Sequence, residues 1–185
     1  MTKGRDLVSL ESFKGKKIRT TGGAKEKAVR KIAAVPVQIP TPEVREAASR
    51  GTIDGFLFPH SSIPPYDLAR HASTATVGEN FGSFVVTYMM SRQKWNALPA
   101  DIRKVIDEVG NDIVTRGCEA TDSMEASDIE KIKAAGVKMQ PLPEADSKKL
   151  QALMAEVSKE WAAGLDQRGR KGSEVLKAFQ DAIVK

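Results

Sequence analysis

Arg19 is the residue of this 185-residue chain whose type and setting best suit it to chemistry. It lies in the run KGKKIRTTGG (residues 14–23), just ahead of a glycine pair. A guanidinium presents parallel N–H donors in one plane, a geometry that matches a carboxylate or a phosphate. An arginine on a short strand is also an ordinary surface residue, so residue type and spacing leave both readings open. Gly22-Gly23 before a helical pattern suits an anion-binding turn, because N–H groups at a helix start favour negative charge. It suits equally a strand-to-helix turn that needs glycine backbone angles. Neither GK[ST] nor GxGxxG follows, so nucleotide binding lacks its motif.

Other reactive types offer less. His60 and His71, the 2 histidines, have no partner at metal-ligand spacing such as HExxH, and both read as loop or surface residues. The HSS triplet at 60–62 lacks the GxSxG elbow, and no acidic residue can be assigned to orient a catalytic histidine. Cys118 is the 1 cysteine, which excludes an internal disulfide and any multi-cysteine metal site. Its helical surroundings suit a small filler residue. No metal and no cofactor are expected.

The elements that must position Arg19 follow from apolar spacing. Lys16 to Thr20 predicts a strand, and Ala24 to Ala34 a helix, with apolar residues at 24, 28, 29, 32 and 33. Val35 to Ile39 alternates as a strand does. A second helix follows, with Thr41 as its cap, Pro42 in the first position and Gly51 as its stop. Ile53 to Phe58 reads as another strand. Strand and helix alternating in this way indicate right-handed crossovers feeding a parallel sheet. The stretch PHSSIPPYDLARHAS, broken by Pro59, Pro64 and Pro65, predicts a loop with a short helix, and FGSFVVTYMMS (81–91) predicts a strand. From Pro99 to about Ala135 the spacing predicts one long helix, about 50 Å at 1.5 Å per residue, suited to bracing two lobes. Gly136 ends it, Val137 to Leu142 reads as a strand, and amphipathic helices over Ser147 to Leu165 and Ser173 to Ile183 close the chain.

Composition sets the limits. With 41% hydrophobic and 29% charged residues, the chain has the balance of a globular protein with a sizeable core. A net charge of +5 is scattered, without a run that would mark a nucleic-acid arm or a membrane patch, and it suits an anionic small ligand. The first 17 residues hold no apolar core of signal-peptide length, which taken alone argues for the cytoplasm.

LESFKGKKIRTTGG, then VPVQIPTPEVREAASRGTIDGFLFP, then WNALPADIRKVIDEVG, in that order, resemble the solute-binding proteins of tripartite ATP-independent periplasmic (TRAP) transporters, the DctP-like family. The similarity runs from about Leu10 to Lys185 and matches the C-terminal half of such proteins. It implies an α/β fold, with a periplasmic-binding-protein-like lobe of parallel-rich sheet, one long bracing helix and C-terminal helices, the N-terminal lobe missing. The implied divisions are a flexible extension over 1–10, the first segment of an α/β ligand-binding lobe over 11–90, a spanning helix over 91–136, and a strand with C-terminal helices completing the lobe over 137–185.

The resemblance also assigns roles. The arginine of the KIR strand in that family pairs with the carboxylate of the transported acid, and Arg19 stands there. Where many members have an asparagine before the proline, this chain has Phe58, which implies either an aromatic wall for an apolar part of the ligand or a plain core residue. Phe56, His60 and Tyr66 are the further candidates around it. Arg45 replaces a common aromatic residue and reads as a second anion contact or a solvent-facing side chain. The family implies a periplasmic location, a dicarboxylate or other organic acid as ligand, a membrane permease as partner, no nucleic acid and no enzymatic activity. A face that normally packs on the missing lobe is expected to be exposed and to drive homo-oligomer formation. Two alternatives stay open: an α/β enzyme acting on a phosphorylated or carboxylated molecule at Gly22-Gly23, and a remnant that binds nothing.

Overall fold

Ile18 and Arg19 are neighbours whose side chains point to opposite faces of a strand, and the fold is built around that division. The computed structural model describes residues 1–2, 9–82 and 86–183. β1 (Lys17–Thr20) lies between two parallel neighbours, β2 (Val35–Gln38) and β3 (Gly55–Phe56). Gly22 and Gly23 end the strand with φ of +83° and +62°, values that side chains rarely adopt. At Gly22 an added Cβ would also lie 3.1 Å from the Gln38 amide nitrogen. α1 (Ala24–Lys31) follows, shorter than the predicted Ala24–Ala34 because Ala33 takes φ +57° and turns the chain into β2.

The second helix opens as a 3-10 turn, Thr41–Glu43, and continues as α2 (Val44–Ser49). Thr41 does not cap it; the hydroxyl is used elsewhere, as described below. β3 is shorter than the predicted Ile53–Phe58. The Asp54 N–H donates to the Lys17 carbonyl (2.8 Å) and the Leu57 N–H to the Arg19 carbonyl (3.1 Å), and Pro59 has no N–H with which to continue.

A second parallel pair, β4 (Thr74–Thr76) and β5 (Lys138–Gln140), is joined to the first sheet by Thr2, which bridges antiparallel to both Gly55 and Thr74. The Phe56 N–H donates to the Met1 carbonyl (2.9 Å) and the Thr2 N–H to the Thr74 carbonyl (3.0 Å). Gly55 is required for this approach, since a Cβ there would stand 2.3 Å from the Met1 oxygen. Met1 and Thr2 are therefore part of the sheet, and Leu10 is buried at the start of a 3-10 turn, Leu10–Phe13, so the expectation of a flexible extension is corrected at these residues. Residues 3–8 of that expectation lie outside the described residues.

Apolar side chains cover both faces. Ile18 packs with Leu10, Phe13, Val29, Ile32 and Leu150, on the side of α1 and α5 (Glu144–Asp166). Phe56, the register partner of Arg19, belongs to the opposite cluster with Val44, Ile53, Ile63, Leu68 and Ile132. The stretch from 81 to 91 gives no strand at 86–90, where Tyr88 is 94% exposed, because alternation forms a strand only where a neighbour completes the ladder. Residues 83–85 of that expectation lie outside the described residues.

The predicted spanning segment is divided at Leu98-Pro99 into α3 (Arg92–Ala97), capped by the Ser91 hydroxyl accepting from the Lys94 N–H (3.2 Å), and α4 (Ala100–Ala134), 35 residues long. Of α4 only Asp128 and Ile132 are buried. Gly136, at φ +88°, ends it. α6 (Gly172–Ile183) packs back on α5, and together they complete the α/β fold with a parallel-rich sheet.

Candidate functional site

Period-two alternation puts Val37, Arg19 and Phe56 side by side on one face of the sheet, in register across β2, β1 and β3. Arg19 is 2% exposed. Its Nε donates to the Ile39 carbonyl (2.9 Å), its Nη2 to the Thr41 hydroxyl (3.0 Å), and its Cζ lies 4.4 Å from the centre of the Phe58 ring. Every one of these partners is uncharged, and no carboxylate among the described residues pairs with Arg19. Burial pushes the guanidinium below its ordinary pKa. A desolvated cation held only by neutral acceptors and a ring face is costly, by several kcal/mol in order of magnitude, and the arrangement favours an anion that supplies the missing charge.

The aromatic residues form a chain away from Arg19. Phe56 and Phe58 meet edge to face at 6.0 Å, and Phe58 and Tyr66 at 6.1 Å. A cavity of 370 Å³ opens beside them, just beyond the carboxyl ends of β3 and β4, where parallel α/β sheets ordinarily bind ligands. Phe56, Phe58 and His60 line it from one side, Thr76 and Glu79 from another, Glu125 of α4 from a third, and Lys25 of α1 from a fourth. His60 Nδ1 lies 3.6 Å from a Glu125 carboxylate oxygen, and its Nε2 lies 3.4 Å from the Thr76 carbonyl. Burial, and secondarily the positive charge of Arg19, lower the pKa of Lys25.

The structure thus brings Phe56, Phe58 and His60 to one cavity. Phe56 is at the same time a core residue, 1% exposed. Arg19 lies behind Phe58 and does not line the cavity, and Tyr66 stands on the exposed flank of Phe58. Arg45 faces solvent beside Asp67, at 3.6 Å, so of its two readings the structure takes the solvent-facing one. Sequence reasoning missed Thr41 as the partner of Arg19, having read it as a helix cap. It also missed Lys25, whose only signal was its place directly after the glycine turn that follows Arg19. Among the described residues no group of three or more histidine, cysteine, aspartate or glutamate side chains is arranged to hold a metal ion.

A buried guanidinium thus stands on a central parallel strand, with an aromatic-walled cavity at the strand ends. The family model of the bacterial extracellular solute-binding proteins, family 7 (DctP), matches residues 1–164, and this chain belongs to that family. Its members bind solutes for transporters and are not enzymes.

Among relatives, the chain is 24% identical over 176 residues to the outer membrane transporter protein TsaT of Comamonas testosteroni, covering 94% of this chain and 52% of that protein. Among solved structures it superimposes with a TM-score of 0.86, at 25% identity, on a TRAP solute-binding protein from an unidentified marine microbe, specific for aromatic acid ligands and in complex with 3-hydroxybenzoate; 99% of this chain and 58% of that one are covered. A TRAP solute-binding protein from Rhodoferax ferrireducens in complex with benzoate shares the fold at a TM-score of 0.79 and 23% identity, over 100% of this chain and 61% of that one. The chain spans about half the length of the curated relative and about three fifths of the solved ones.

Proposed function

We propose that this chain carries the arginine side of a receptor that captures an organic acid with an aromatic or other apolar portion. The receptor hands the acid to the membrane permease of a TRAP-type transporter, and the place of capture is the periplasm. The observation that carries this reading is the state of Arg19: buried, held by Ile39, Thr41 and Phe58, and without a carboxylate among the described residues. The ligand carboxylate is the counter-ion, reached when Phe58 turns aside or when the acid slides along its ring. The Phe56-Phe58-Tyr66 chain supplies the wall for the apolar portion, and His60 borders the entrance. Aromatic acids in the similar solved structures support the same ligand class.

Exposed Ile102, Val105, Ile106, Val109, Ile113 and Val114 on α4 support a second element of the proposal, association of two copies of this chain through that helix.

A thermal-shift screen of organic acids against wild type and Arg19→Ala tests the ligand reading. Benzoate-like monocarboxylates are expected to raise the melting temperature of the wild type and to leave the variant unmoved. Equal shifts in both proteins, or none in either, would overturn the assignment.

A further inference from the structure

The spacing of residues along α4 is symmetric. Ile102, Ile106, Val109, Ile113, Gly117, Ala120 and Met124 stand at Ile113 and at 4, 7 and 11 residues to either side of it. Steps of three and four keep them on one stripe, about 33 Å long at 1.5 Å per residue. The stripe lies about a quarter turn round the helix from Asp128 and Ile132, the residues that α4 buries. Its five large side chains, Ile102, Ile106, Val109, Ile113 and Met124, are each 39% exposed or more.

A row that reads the same in both directions is self-complementary when a second helix lies antiparallel to it with a two-fold axis at Ile113. In that register Val109 stands level with Gly117 of the second copy, Ile106 with Ala120 of the second copy and Ile102 with Met124 of the second copy. Large then faces small on both sides of the axis, the condition for close interdigitation. Glycine is disfavoured inside a helix, and a Cβ at Gly117 would meet nothing within 4 Å of its own chain. The approach of Val109 from a second helix gives that glycine a use. Charge fits the same register. Asp112 and Arg116, paired at 3.0 Å within the chain, lie on one flank of the stripe, where the antiparallel copy sets its own Asp112 and Arg116 alongside them with opposite signs in reach. On the other flank an apolar hollow of 640 Å³, lined in part by Met90, Trp95 and Ile106, lies about level with Met124 of the second copy. We propose that two copies of this chain associate through an antiparallel pair of α4 helices centred on Ile113, with Met124 of each copy entering the hollow of the other. This inference rests on the two-copy reading of the preceding subsection, to which it adds orientation and register.

Cysteine cross-linking of the full chain reads both. The cysteine variants carry Cys118→Ser, because Cys118 is exposed, and a circular dichroism spectrum of each establishes that it is folded. Under mild oxidation Ile113→Cys is expected to link to itself. Ile102→Cys is expected to link to Met124→Cys when the two proteins are mixed, and not to itself. Gly117→Leu meets no atom of its own chain at the added Cβ, yet should raise the dimer dissociation constant about tenfold or more by overfilling the seam, and Val109→Ala in the same protein should recover most of that loss. Self-linking of Ile102→Cys, as in a parallel pair, overturns the arrangement while the association of two copies stands. So does Ile113→Cys that stays single in a protein of dimeric mass, or Gly117→Leu that leaves the dissociation constant unchanged. A monomeric mass of the wild type in light scattering at every soluble concentration overturns the association itself and the arrangement with it.

Discussion

The Arg19 face of the sheet and the projecting part of α4 invert the ordinary partition of residues in opposite ways. On the sheet a permanent charge is 2% exposed, while on the helix apolar side chains such as Val109, 55% exposed, and Val114, 66% exposed, face solvent. A surface arginine and a buried valine would need no explanation. In the function proposed above, each departure marks a surface that another molecule completes. The buried guanidinium, held by Ile39, Thr41 and the Phe58 ring but not by a carboxylate among the described residues, is there proposed to take a small anion. The apolar stripe is proposed to take a second copy of this chain. The same helix shows the contrast within itself: near its C-terminal end Ile132 is fully buried and Asp128 nearly so, whereas the first 25 or so residues present no buried side chain.

Removing the charge should break the sheet side of this contrast. Arg19→Ala is expected to weaken acid binding by about 2–5 kcal/mol, the usual consequence of removing one partner of a buried charge pair, readable by calorimetry. Nearly as large is the difference expected along α4. Ile132→Ala should lower the unfolding free energy of the monomer by about 2–5 kcal/mol, and Val109→Ala should change it by no more than about 0.5 kcal/mol, as measured by urea denaturation at protein concentrations too low for two copies to associate. Equal effects at the two positions under those conditions would show that the projecting part of the helix packs within the chain itself. Paired Val105→Lys and Val109→Lys substitutions should shift light-scattering mass toward the monomer, with a dissociation constant raised about tenfold or more. Phe58→Leu keeps an apolar wall but removes the ring over Arg19, and should cost acid affinity about 0.5–2 kcal/mol.

The smallest effect concerns pH and lies outside both regions. Asp166, which accepts from the Ser173 hydroxyl and N–H where α5 meets α6, is held below its ordinary value of 3.8. A depressed carboxylate stabilises the fold above the unfolded value and loses that contribution as pH falls through the folded one. The α5–α6 junction should therefore loosen only below pH 3.8, and Ser173→Ala should flatten that dependence in an acid titration followed by circular dichroism.

Much of this organisation was legible in the residues. Apolar spacing located α1, α4, α5 and α6, and Gly22-Gly23, Gly51 and Gly136 marked turns that the structure places at positive φ. What escaped was whatever depends on distant partners. β4 is three residues long and exists because β5, more than sixty residues later, pairs with it. Thr2 joins the sheets through bonds to Gly55 and Thr74, a position no local pattern announces. At 86–90 the opposite happened, a strand-like pattern without a ladder. In the site, the type of Arg19 suggested its chemistry, but only the family motif pointed to that residue. Lys25 escaped because a lysine in a first helical turn ordinarily points into water, and only the fold sets it on the wall of the cavity.

The central claim is that the Arg19 guanidinium meets the carboxylate of the ligand. Side-chain nitrogen NMR of the arginines during a benzoate titration tests it directly, with Arg19 assigned by its loss in Arg19→Lys. The account predicts that the Arg19 Nε signal, whose N–H donates to the Ile39 carbonyl in the structure, moves and saturates at the same dissociation constant as the ligand's own resonances. Saturation of the ligand signals while the Arg19 signal stays in place would contradict it.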